Sequence, residues 1–107
     1  AGTTINGTTS LGNSTYRYAN VHTNGLAVHD RVSTDLKPYS TDTYDLGSTT
    51  YRWRNVYTND LHLSNEGHSN DVDGTWGNWT IQEGESDLFL KNNRSGKKYK
   101  FNLTEVS

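Results

Sequence analysis

Five carboxylates gather between residues 71 and 87: Asp71, Asp73, Glu83, Glu85 and Asp87. Two such groups held across a sugar ring could act as general acid and general base on a glycosidic bond. Each of the five, however, lies in a stretch of Asn, Gly and Ser that reads as loop or turn, where acids are common, so no catalytic residue is assigned. Asn70-Asp71-Val72-Asp73-Gly74 sets oxygens at alternate positions before a glycine bend, as a calcium loop begins, with Asp71 and Asp73 as the ligands. The twelfth position from Asp71 is Gln82, where such a loop needs a glutamate, and an ordinary turn is expected instead. Of the four histidines, His22, His29, His62 and His68, each reads as polar surface on a single chain. On a threefold axis any one would be presented three times, enough imidazole for a transition metal. His62, fixed between Leu61 and Leu63, is the best placed for that; no metal or other cofactor is expected.

Aromatics are the other chemistry-bearing group. Trp76, Trp79 and Tyr99, with Tyr39 and Tyr44, could offer flat faces to sugar rings, or could fill a thin core. The first three are the candidates for receptor contact, and Trp76, in a glycine-flanked loop, is the one packing explains least. Arg94, Lys97, Lys98 and Lys100 form the only basic cluster and read as charges facing water from a hairpin.

The elements that must hold these residues are constrained by composition. The chain has 107 residues, 30% of them hydrophobic, against roughly 45–50% apolar, glycine included, for an ordinary globular domain, and its mean hydropathy is −0.92. Disorder would give few aromatics and more proline; here there are seven Tyr, three Trp and one Pro. Short strands and tight turns whose missing core comes from other chains fit better. A formal net charge of −2 leaves no electrostatic footprint for nucleic acid or anionic lipid. The absence of cysteine rules out disulfides. No apolar run is long enough to span a bilayer.

The sequence also repeats itself. Residues 11–28 and 46–63 share ten of eighteen positions without a gap, at an offset of 35. A fixed period of about 20–50 residues marks an array in which each unit buries its apolar side against a neighbour. The repeat core is assigned to Leu11, Tyr18, Val21 and Leu26 in the first copy, and to Leu46, Trp53, Val56, Tyr57 and Leu61 in the second. Trp53, Val56 and Tyr57 at i, i+3 and i+4 predict a turn of helix over about 49–55, leading into a strand over about 56–63. Alternation at Leu26, Val28, Asp30 and Val32 predicts a strand ended by Pro38. Residues 1–10 read as a polar lead-in, anchored only by Ile5, that continues a longer fibrous region.

Beyond Leu63 the period changes. A polar loop over 64–78 is followed by three alternating strands, at 79–82, 87–91 and 98–103, joined by Glu83-Gly84-Glu85-Ser86 and Asn92-Asn93-Arg94-Ser95-Gly96. The expected fold is all-β: short repeated β units forming a fibrous shaft over residues 1–63, capped by a small β-meander knob over 64–107.

Asp45-Leu46-Gly47-Ser48-Thr49-Thr50-Tyr51-Arg52-Trp53-Arg54-Asn55-Val56-Tyr57-Thr58 resembles the Leu-Gly-Ser…Arg-Trp…Val-Tyr motif of bacteriophage tail fibres and tail spikes. The runs from Asn70 to Gly77, Thr80 to Glu85 and Gly96 to Leu103 resemble the C-terminal ends of fibre-like proteins of marine phages, especially cyanophages. The resemblance covers about residues 11–106 and is most specific in the C-terminal 60 or so. It implies a homotrimeric, β-rich virion component of the tail that meets a host-surface glycan or protein and other phage tail proteins, and it supplies no catalytic residues. Three functions stay open: an adhesive fibre segment acting through three identical tips, a connector binding only other phage proteins, and a polysaccharide-degrading spike fragment. The first is the leading expectation, and neither nucleic acid nor membrane insertion is expected.

Overall fold

The sheet begins where the second copy of the repeat ends. Leu61, the last identical position of the repeat, opens the first strand, so repeat and meander share β1. A computed structural model describes residues 12–27 and 30–107; the expectations placed on Ile5, Leu11, Val28 and His29 lie outside the described residues. The strands are β1 (Leu61–Ser64), β2 (Asn78–Glu83), β3 (Leu88–Asn92) and β4 (Lys98–Lys100). They pair antiparallel in sequence order as one four-stranded sheet, and the described residues contain no helix. The all-β class stands, and the three strands expected after residue 64 are present as β2, β3 and β4, with β1, where the strand expected over 56–63 ends, added at the sheet edge.

Register fixes the two faces. Leu61 lies opposite Ile81, Leu63 opposite Trp79, Ile81 opposite Leu90, and Leu90 opposite Tyr99. Because side chains alternate along a strand, these six, with Leu88, line one apolar face. On the other face His62 lies opposite Thr80, Ser64 opposite Asn78, Thr80 opposite Lys91, Gln82 opposite Phe89, and Lys91 opposite Lys98. A half-buried antiparallel sheet needs such a division. Here the apolar face is uncovered: Leu61, Leu63 and Tyr99 each expose nearly half their surface, and no apolar side chain among the described residues is fully buried. The one buried residue among those described is polar, Thr80, 3% exposed.

Turn chemistry explains the meander's order. The Gly84 amide donates to the Asp87 carbonyl (2.8 Å). A Cβ on Gly84 would lie 2.6 Å from the Phe89 ring, so Phe89 covers this turn only because residue 84 lacks a side chain. Between β3 and β4 the Gly96 amide donates to the Asn92 carbonyl (2.8 Å), with Gly96 at φ +76°, in the left-handed region glycine tolerates. β4 is shorter than the expected strand at 98–103, although the Phe101 amide still reaches the Leu88 carbonyl (3.0 Å).

The helical turn expected over 49–55 does not form. The Ser48 amide donates forward to the Tyr51 carbonyl (2.9 Å), and the Tyr51 amide donates back to Ser48 Oγ (3.0 Å). Amide donation runs toward the N-terminus in a helix, so this hydroxyl-closed loop pre-empts it. The strand expected over 56–63 forms only from Leu61. Among the described residues of the expected strand over 26–32, none is in a strand.

The chain divides into two units, Ala1–Tyr44 and Asp45–Ser107, each with one copy of the repeat. In the first, the Asn13 amide donates to the Tyr16 carbonyl (2.7 Å), Arg17 reaches the Ser14 carbonyl (3.2 Å), and Thr23 Oγ1 donates to the Gly25 carbonyl (2.7 Å). In the second, the corresponding bonds are Ser48 to Tyr51, Arg52 to Thr49 (3.5 Å) and Thr58 to Asp60 (3.1 Å). Gly12 and Gly47 precede these turns at φ +82° and +86°. The same local bonds therefore recur 35 residues apart, made by identical or equivalent residue types.

Candidate functional site

An open concavity lies at the end of the sheet where the β1–β2 loop and the β3–β4 turn meet, lined among others by His62, Asn70, Asp73, Thr75, Trp76 and Arg94. Asn70 organises the loop. Its Oδ1 accepts from the amides of Val72 (2.8 Å) and Asp73 (2.9 Å), while its Nδ2 donates to Asp73 Oδ1 (2.8 Å) and the Thr75 carbonyl (2.9 Å). An Asn at the head of a turn is suited to this because its amide both gives and accepts. Gly74, at φ +73°, lets the chain reverse. Farther out, Asn65 Oδ1 accepts from the Gly77 amide (2.8 Å) and ties the loop base together.

Asp73 Oδ1 accepts from the Thr75 hydroxyl (2.7 Å) and amide (3.1 Å). The Thr75 hydroxyl first, then the Asn70 side chain, holds its carboxyl below the ordinary value of 3.8. Bonds made to the charged form stabilise the fold, and the sign follows from the direction of the shift. The stabilisation is complete above that ordinary value and is lost as pH falls through the lower value of the folded form. Acid titration is therefore expected to leave the Thr75 amide resonance in place down to the ordinary carboxylate range and to shift it only below. In Asp73→Asn that low-pH step should vanish.

Arg94 joins the loop to the β3–β4 turn. Its guanidinium carbon sits 3.7 Å from the centroid of the Trp76 ring, and its Nη1 donates to the Trp76 carbonyl (2.9 Å). The turn presents it because Asn92 Oδ1 accepts from the amides of Arg94 (3.0 Å) and Ser95 (3.3 Å). Stacking and hydrogen bonding fix one flat cation at the rim. Behind it a polar relay runs from the β3–β4 turn across β2 to β1: Asn93 Nδ2 donates to Thr80 Oγ1 (2.9 Å) and to Asn78 Oδ1 (3.0 Å), and Thr80 Oγ1 lies 2.9 Å from His62 Nδ1. Asp60 continues the row by accepting from Gln82 Nε2 (3.0 Å).

The aromatic candidates divide. Trp79 and Tyr99 stand together on the apolar face, ring centroids 5.9 Å apart and tilted by 40°. Trp76 stacks beneath Arg94 in the concavity, whose lining also takes in Leu63 and Trp79. Of the five carboxylates only Asp73 lines that concavity. Asp71, Glu83 and Glu85 are exposed. His62 Nδ1 faces Thr80, and among the described residues no three His, Asp or Glu side chains are grouped as metal ligands. The repeat positions Tyr18, Val21, Leu26, Leu46, Trp53, Val56, Tyr57 and Leu61 are all exposed on the single chain. Sequence reading missed Asn70 and Thr80. The Asn-x-x-Asp-Gly spacing was a usable signal for the first; a lone Thr in a strand gives none for the second.

Comparison of the chain with models of protein families, with curated proteins and with solved structures finds no match.

Proposed function

We propose that this chain is a structural and adhesive segment of a bacteriophage tail fibre. In this reading the repeated units assemble as a homotrimeric shaft, the meander forms the tip, and three tips engage a host-surface glycan or protein weakly but together. The observation that carries it is the one-sided sheet. Leu61, Leu63, Trp79, Ile81, Leu88, Leu90 and Tyr99 share a face over which no second strand layer or helix of the described residues packs, and Leu61, Leu63 and Tyr99 stay nearly half exposed. Copies of the same chain would supply the cover, as the exposed repeat positions also require, and the polar face would be left outward for contact. Threefold symmetry, the tail location and attachment to a host surface are taken from the motif resemblance.

The reading is adhesive rather than catalytic. The concavity offers amides, hydroxyls and a stacked guanidinium, which hold a sugar, and Asp73 is occupied as the acceptor that ties its own loop. Purified protein is expected to bind host cells and to compete with phage for adsorption. Assembled protein that does neither would make it a connector between phage proteins, and release of reducing ends from host polysaccharide would make it a spike fragment.

A further inference from the structure

Charge is unevenly spread along this chain. Residues 88–104 contain Lys91, Arg94, Lys97, Lys98 and Lys100, half of its ten Lys and Arg, and no Asp or Glu. That segment carries +5 in a chain whose formal net charge is −2, so the remaining residues carry −7. The excess is folded onto one place, because β3 and β4 are adjacent. Lys91 and Lys98 are directly opposite each other on the polar face. Like charges in that position destabilise a sheet. Neither lysine is paired with a carboxylate among the described residues, where Arg31 is paired with Asp30. Lys100 shares a shallow depression with Asp87 and Glu105. The strongest unneutralised charges are therefore Lys91 and Lys98 on the strands and Arg94 at the turn, where Trp76 holds it in place.

We infer that the polar face of the β3–β4 hairpin, through Lys91, Lys98 and Arg94, docks an acidic polysaccharide by its carboxylates. The inference deepens the attachment reading above and rests on it. Charge complementarity names an anion. The surroundings name a sugar polymer over a nucleic acid: Asn78, Asn93 and Ser95 supply amides and a hydroxyl suited to sugar hydroxyls beside the charges. The guanidinium, already flat against Trp76, loses little freedom when it takes a carboxylate.

The test uses polygalacturonate as the acidic polymer, with dextran as a neutral one and double-stranded DNA as a phosphate polymer. Assembled protein is expected to bind polygalacturonate, to ignore dextran, and to bind DNA more weakly. Raising salt from 50 to 500 mM should weaken the binding at least tenfold, a reading that needs no variant. Lys91→Gln/Lys98→Gln and Arg94→Gln should each weaken it about tenfold with the mass by light scattering unchanged, and Lys98→Arg should bind as the parent does. Equal binding of dextran, tighter binding of DNA, salt-independent binding, or full binding by the glutamine variants overturns the inference. Failure of the attachment reading looks different: it is loss of cell adsorption by the parent protein, whatever the polygalacturonate result.

Discussion

Ile81→Glu is expected to abolish assembly and leave a soluble or aggregating single chain. Ile81 sits at the middle of the apolar face, opposite Leu61 on one side and Leu90 on the other. If copies of the chain cover that face, a carboxylate there is buried without a partner, which costs about 3–5 kcal/mol per copy. Every 1.4 kcal/mol is tenfold in association, so even the lower figure is a loss of more than a hundredfold in each chain's contribution. The matched control is Lys98→Glu on the opposite face. It removes the repulsion with Lys91, so assembly should persist while binding of an acidic polymer falls. Sedimentation of the two variants beside the parent checks both halves. Equal masses for all three would place the apolar face outside any interface.

The second large effect is expected at Trp53. Its indole is 66% exposed on the single chain. The contact it has is local, over Gly47, where a Cβ would lie 3.5 Å from the indole Cδ1. The third of its surface already covered is worth at most about 2 kcal/mol, at about 25 cal/mol per Å² over a side chain of up to about 250 Å². Burial between chains raises the cost of Trp53→Ala to about 3 kcal/mol or more, and moves it from the turn to the assembly. The expected result is a dissociation midpoint at markedly higher protein concentration, with the β-sheet spectrum of the remaining oligomer intact. A variant that assembles and melts like the parent would make the indole a surface decoration of its turn. Tyr18, the same position in the first copy, is exposed to a similar degree (64%) and should show the same sign with a smaller effect.

Much of the sheet was legible because period-2 alternation survives in a polar sequence. Trp79-Thr80-Ile81 and Lys98-Tyr99-Lys100 each declare two faces, and Gly84 and Gly96 declare the turns. The helical turn at 49–55 was misread for a physical reason. Trp53, Val56 and Tyr57 have helical spacing, but the spacing of exposed residues carries no packing information when the surface they will meet belongs to another molecule. The Ser48 hydroxyl accepts the Tyr51 amide within a tight turn, the local alternative to a helix that such side chains offer. The site was legible in composition more than in arrangement. Trp76 stood out as unexplained by packing, and the basic residues around it stood out as a cluster. The union of Trp76 with Arg94, and the pairing of Trp79 with Tyr99, depend on which loop returns beside which turn, information that resides in the strand order.

The apolar face and the exposed repeat positions are expected to form one interface between copies. Multi-angle light scattering of the 107-residue protein, across a hundredfold range of concentration, measures this most directly. The prediction is a mass of three chains, each 12.0 kDa, with a reversible loss of mass on dilution and no populated folded monomer. A stable, cooperatively folded single chain at every concentration would contradict it.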